Sequence, residues 1–188
     1  MAPLPREILE FWFGPLPHAT RAEWFRKDAV FDAQIRSRFG NAIDAALTGA
    51  LDGWRADSHG ALAHVLLLDQ FTRNAYRDTP RAFAGDAAAL ATATSAVDSG
   101  LDRLLDLWER WFLYLPFEHA EDLATQERSL ALFRNLERDT GEAAPLAWAE
   151  KHAAVVRRFG RYPHRNAILG RASTPEEIAF LQEPGSRF

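Results

Sequence analysis

Ala61-Leu62-Ala63-His64-Val65-Leu66-Leu67-Leu68-Asp69-Gln70-Phe71-Thr72-Arg73-Asn74 is the stretch that decides the fold class of this 188-residue chain. Leu62, Val65 and Leu66 recur by steps of three and four, the spacing of one helix face. The same steps carry that face on to Asp69 and Arg73, so a carboxylate and a guanidinium extend the stripe that enters the core. They stand four residues apart and reach one another on that face. Gln70 and Asn74 repeat the spacing one position round. Burying such groups costs several kcal/mol unless they are matched. The stretch therefore predicts a helix whose polar end is either a closed network or one wall of a site.

Outward from this helix, Gly and Pro punctuate segments of the same period. Pro5 fits a first turn ahead of Arg6–Phe13, which Gly14-Pro15 stops. Asp28 is placed to cap a helix carrying Val30, Phe31, Ile35, Phe39 and Ile43, with Gly40 as a possible bend and Gly49 as its end. Ser58 is the cap expected for the quoted stretch. Asp86 opens an Ala-rich helix that Gly100 closes. Asp102–Tyr114 has a broad apolar face and is expected to break or kink at Pro116. Glu118–Arg138 reads as one long helix with Leu123, Leu130 and Phe133 inward. Pro145 starts another that Gly160 ends, and Thr174-Pro175-Glu176-Glu177 is a capping box with Pro at the first helical position. No alternating Val, Ile or Thr run predicts a strand. The expectation is all-α: one helical domain over residues 1–188, a bundle without a self-similar repeat.

Composition supports this. Apolar residues make up 47% and charged residues 26%, with six Trp and thirteen Phe to fill a core. With no cysteine, disulfides, thiolate metal sites and Cys nucleophiles are excluded. A net charge of −4 gives no global basic field for nucleic acid or anionic lipid. The longest apolar run, Ala61–Leu68, is interrupted by His64 and is far too short for a membrane span. No basic and then apolar leader opens the chain, so the expected location is cytoplasmic, without nucleic-acid or membrane partners.

Two further clusters place polar groups where chemistry is possible. In Pro116-Phe117-Glu118-His119-Ala120-Glu121-Asp122, His119 beside acids has the makings of a general acid or base oriented by a carboxylate. Its spacing fits no metal motif, and no metal or other cofactor is expected. In Arg157-Arg158-Phe159-Gly160-Arg161-Tyr162-Pro163-His164-Arg165-Asn166, with Arg171 beyond, cations suit a helix C-terminus but exceed what one helix end needs. Their forks suit phosphate, carboxylate or the acids of the other cluster. His18, His59 and His64 read as solitary, structural or solvent-facing. Signatures of serine hydrolases, phosphate loops and dinucleotide folds are absent.

At these same residues the chain resembles a family, the bacterial proteins known as domain of unknown function family 924. The blocks that carry the resemblance are Glu10-Phe11-Trp12-Phe13-Gly14, Trp24-Phe25, Leu67 through Asn74, Arg81-Ala82-Phe83 with Asp86, Tyr114 through His119, and Arg158 through Asn166. The resemblance implies a helical domain with tetratricopeptide-like helix pairs and carries no activity with it. Thr72, Asp78 and Ala120 depart from residues frequent in the family (Pro, Gly and Ser), and Ala120 takes away a hydroxyl beside His119.

The combined expectation is that the clusters converge. Asp69 and Arg73 would pair between helices, while Glu118, His119 and Glu121 would face Arg158, Arg161, His164 and Arg165 across a cleft. Asp69, Gln70, Arg73, Asn74, Glu121, Arg158, Arg161, His164, Arg165 and Asn166 are the candidate binding residues, and His119 with Glu118 the candidate catalytic pair. The expected role is a binding module for an anionic small molecule or peptide. The alternatives are an enzyme using His119 and a purely structural ion-pair network. The chain is expected to be a monomer or a homodimer, and exposed apolar residues on the Trp108–Phe112 face would serve the dimer.

Overall fold

The computed structural model describes residues 4–186, and every regular element within them is helical. Contacts group the chain into two compact units. The first runs to Arg77 and resumes over Arg81–Pro116, and the second comprises Asp78–Pro80 and the chain from Phe117 onward. The first holds α1 (Pro5–Phe13), α2 (Ala29–Leu47), α3 (Ser58–Leu66), α4 (Thr72–Ala75), α5 (Asp86–Asp98) and most of α6 (Leu107–His119). The second holds the last turn of α6, α7 (Leu123–Thr140), α8 (Ala144–Phe159) and α9 (Pro175–Phe180).

The decisive stretch is the central element of the first unit. All of Gly60–Leu66 is buried, and α3 packs against α1 and α5. Between α3 and α4 the chain makes a π-turn, Leu67–Phe71, that also buries Leu67, Leu68, Asp69 and Phe71. A π-turn widens the backbone spiral and leaves carbonyls poorly paired. Here Thr72 Oγ1 donates to the Leu68 and Asp69 carbonyls at 2.7 and 3.1 Å. Close backbone approach fixes one glycine beside it: a Cβ on Gly85 would sit 2.2 Å from the Leu68 carbonyl oxygen. Only a residue without a side chain lets the start of α5 meet the π-turn.

Several boundaries differ from the sequence expectation. Asp57, not Ser58, caps α3, accepting the Gly60 N–H at 2.9 Å. Val30 is 69% exposed, so α2 points Phe31, Ile35, Phe39 and Ile43 inward without it. Leu101–Leu104 is a short 3₁₀ turn, and α6 starts only at Leu107. Pro116 does not end α6. Residues 111–118 are all buried, and that packing outweighs the hydrogen bond Pro cannot make. α7 starts at Leu123 behind an Asp122 cap, which leaves Glu118 in the last turn of α6 and Leu123 exposed. Trp111 and Phe112 are buried rather than free for a dimer. Phe112 packs with Trp24 and Trp12 at ring distances of 4.8 and 5.3 Å. The remaining signals hold, including the Asp28 cap, the Gly160 stop and the Thr174–Glu177 capping box.

In the second unit α7 and α8 pack along each other. Leu130, Phe133 and Leu136 are buried on one helix, and Ala149, Ala153 and Val156 on the other. The three-residue link between them makes the pair antiparallel. Among the described residues, no helix is long and apolar enough to cross a membrane.

Candidate functional site

Each polar cluster lies within one unit. In the first, Asp69 is fully buried, with Oδ1 3.0 Å from Arg73 Nη1 and Oδ2 2.5 Å from Gln70 Nε2. Arg73 also forks onto Asp86 at 2.8 and 3.1 Å. The pair between helices is therefore Arg73–Asp86, while Asp69 and Arg73 share one helical run and pair as i, i+4. One turn away, Asn74 Nδ2 donates to Asp32 Oδ1 at 2.8 Å, and Arg77 forks onto the same carboxylate at 2.8 Å on each arm. Asp32 escaped the sequence reading. It lies on the inward side of α2 between Phe31 and Ile35, where a polar residue breaks the apolar pattern. Carboxylates and guanidiniums alternate here, and this arrangement holds helices together.

In the second unit the acid of the second cluster and the cations of the third pair locally. Arg158 Nε lies 3.0 Å from Glu176 Oε1, on a pair exposed on both sides. Arg161 forks onto Glu177 at 2.7 and 2.9 Å. That fork, the Thr174 N–H and Asn166 hold the Glu177 carboxyl down at about 2, against the opposing push of burial. Glu121 takes two bonds from Arg171, at 2.5 and 3.0 Å, and the Tyr162 N–H at 2.8 Å. Burial pushes the Glu121 carboxyl up, but these bonds and the Arg165 charge outweigh it and keep it below the ordinary value. Asn166 ties the loop by donating to Ser173 Oγ and accepting from Arg171 Nε. Arg158 and Arg161 therefore face α9, not Glu118 and His119 across a cleft.

What remains at the centre is a group the sequence reading missed. His152, on α8, is 6% exposed, and its Nδ1 lies 3.0 Å from Glu118 Oε1 and 2.9 Å from the Trp148 carbonyl oxygen. Two acceptors at one ring nitrogen assign the proton to Nδ1 and leave Nε2 as a lone-pair acceptor. Burial first, then the positive charge of His119, Arg165 and His164, pulls the His152 imidazole down to about 3. The ring is neutral at physiological pH. The signal was present in Ala149-x-x-His152-Ala153-x-x-Val156, one polar residue on an otherwise apolar stripe.

The surrounding groups are fixed from below. Tyr162 is fully buried, and its hydroxyl donates to the Glu118 carbonyl at 2.5 Å. Gln126 Nε2 reaches the Glu118 and Ala120 carbonyls at 2.7 Å each. The ring of Tyr162 lies 5.7 Å from those of His152 and His164, with the Arg165 guanidinium 4.7 Å over its face. Half-buried His119 has its ring 6.2 Å from His152. Glu118, His119 and His152 offer three ligand atoms within 4.8 Å of one another. The charges of Arg165 and His164 act on the His152 imidazole. In the first unit, a surface hollow of about 550 Å³ lies beside α1, and the guanidinium of Arg21 on its wall bonds the Phe11 and Trp12 carbonyls.

Comparison with known proteins agrees with the fold. The solved "Structure of Protein of Unknown Function ATU0120 from Agrobacterium tumefaciens" is similar at 42% identity and a TM-score of 0.86, covering 95% of this chain and 96% of that one. No curated protein matches. The family model described as "Bacterial protein of unknown function (DUF924)" matches residues 8–185, and the chain belongs to that family.

Proposed function

We propose that the protein is a binding module for a small anionic molecule, with its site in the second unit around His152. The observation that carries this is the buried Glu118–His152 pair, an uncharged imidazole on which the charges of His119, Arg165 and His164 act. Arg165 supplies a guanidinium for one carboxylate or phosphate group, and His152 supplies an acceptor for a ligand hydroxyl or amine. Half-buried His119 lies with its ring 6.2 Å from that of His152. Arg158, Arg161 and Arg171 pair with Glu176, Glu177 and Glu121.

The same pair favours a second reading, an enzyme in which His152 is the general base and Glu118 its orienting carboxylate. This moves the acid–base role from His119 to His152. Melting-temperature shifts against a panel of small carboxylates and phosphates test the binding proposal. At least one raises the melting temperature of the natural protein and fails to raise that of Arg165→Met. A panel without effect, or a shift that survives Arg165→Met, contradicts it. Turnover of a bound compound that disappears in His152→Ala makes the module an enzyme.

A further inference from the structure

Away from that site, the first unit gathers two histidines and two carboxylates at the start of α6. Asp106 and Glu109 cap the helix reciprocally: Asp106 Oδ1 accepts the Glu109 N–H at 3.0 Å, and Glu109 Oε2 accepts the Asp106 N–H at 3.0 Å. Capping uses one oxygen of each carboxylate and fixes the direction of the other. Both remaining oxygens meet an imidazole from elsewhere in the chain. Asp106 Oδ2 lies 2.7 Å from Nδ1 of His18, in the segment after α1. Glu109 Oε1 lies 3.4 Å from Nε2 of His59, in the first turn of α3. His18, Asp106 and Glu109 each bring one ligand atom within 4.8 Å of the others. A helix cap accounts for the carboxylates but not for two histidines, 41 positions apart in sequence, directed at their spare oxygens.

We propose that His18, Asp106 and Glu109 bind a divalent transition-metal ion of the zinc class, with His59, 3.4 Å from Glu109, completing the donor set when the ion is bound. Imidazole nitrogen with carboxylate oxygen is a donor set that such ions accept and that magnesium or calcium, which take oxygen, do not select. Around a tetrahedral ion with bonds of about 2.0–2.1 Å, ligand atoms stand roughly 3.3 Å apart. The two histidine–carboxylate spacings bracket that length. Two carboxylates neutralise a dication. Backbone N–H groups already orient each carboxylate from behind, as outer-shell partners do in metal sites. The side chains of His18 and Glu109 are each 8% exposed, whereas those of Asp106 and His59 are 39% and 56% exposed, which leaves a route in from solvent. The ion joins the segment after α1, the start of α3 and the start of α6, so its binding stabilises the first unit.

The test is titration of chelator-treated full-length protein with Zn²⁺, Co²⁺ and Mg²⁺, read by calorimetry, melting temperature and the visible absorption of Co²⁺. Expected are one Zn²⁺ per chain with a raised melting temperature, tetrahedral Co²⁺ bands and no response to Mg²⁺. His18→Ala, His59→Ala and Asp106→Asn each weaken Zn²⁺ by roughly tenfold or more. Asp106→Asn keeps the capping acceptor and His59 is exposed, so these two variants keep the fold and the result remains decisive if His18→Ala does not. His119→Ala leaves Zn²⁺ binding unchanged. Failure to bind Zn²⁺, equal binding by the His59→Ala and Asp106→Asn variants, or binding lost in His119→Ala overturns the proposal. The outcome is independent of the anion site, which rests on other residues.

Discussion

Asp69 in the first unit and His152 in the second are both enclosed by helices, yet their surroundings treat charge in opposite ways. Around Asp69 every carboxylate has a guanidinium or amide against it, and Arg73 spans two acids from two helices. Around His152 the packing keeps the imidazole uncharged and holds one ring nitrogen with a carboxylate and a carbonyl. Matched charges give stability and geometry without a reactive atom. A neutral imidazole with one oriented nitrogen is what a ligand or a proton transfer needs.

Breaking the matched network has the largest effect. Asp69→Ala leaves Arg73 facing a buried gap and is expected to cost about 3–5 kcal/mol in urea denaturation. A loss below about 1 kcal/mol would mean that water or Asp86 alone satisfies Arg73.

Glu177 sharpens the contrast from inside the second unit, because it is a matched pair close in sequence to the His152 surroundings. Glu177→Gln removes the charge that Arg161 grips and is expected to cost about 1–3 kcal/mol. Its folded carboxyl titrates at about 2 rather than the ordinary 4.5, so its contribution is full above about 4.5 and is lost as pH falls toward 2. Denaturation curves between pH 5 and 2 should therefore be less steep in pH for Glu177→Gln than for the natural protein.

The smallest effect belongs to the exposed end of the series. Arg158→Ala breaks a pair with both partners in solvent, and about 0–1 kcal/mol is expected. A larger loss would show that the Arg158 guanidinium, over the rings of Phe159 at 4.7 Å and Phe180 at 5.7 Å, contributes more through those faces than through Glu176.

The all-α class was legible because period-3.6 stripes and helix stops are local: Asp28, Gly160 and the Thr174 box each act within one turn. Positions where tertiary burial overrides propensity were not, as in α6 running through Pro116. The polar residues were legible one by one, since a charge on an apolar stripe is visible in sequence. Their partners were not. Arg73 meets Asp86 and Arg171 meets Glu121 across 13 and 50 positions, and no spacing rule chooses among the many acids available. His152 and the histidines at 18 and 59 were passed over for the same reason, because each gains meaning only from a carboxylate brought by another segment.

The most direct measurement is nitrogen-15 NMR of the His152 ring across pH 7 to 4. A neutral ring with its proton on Nδ1 throughout, charging only near pH 3, is the predicted result. An imidazolium that forms near pH 6.5, or a proton resident on Nε2, would contradict the central claim that burial and the neighbouring cations keep this histidine uncharged while Glu118 and the Trp148 carbonyl hold its proton on Nδ1.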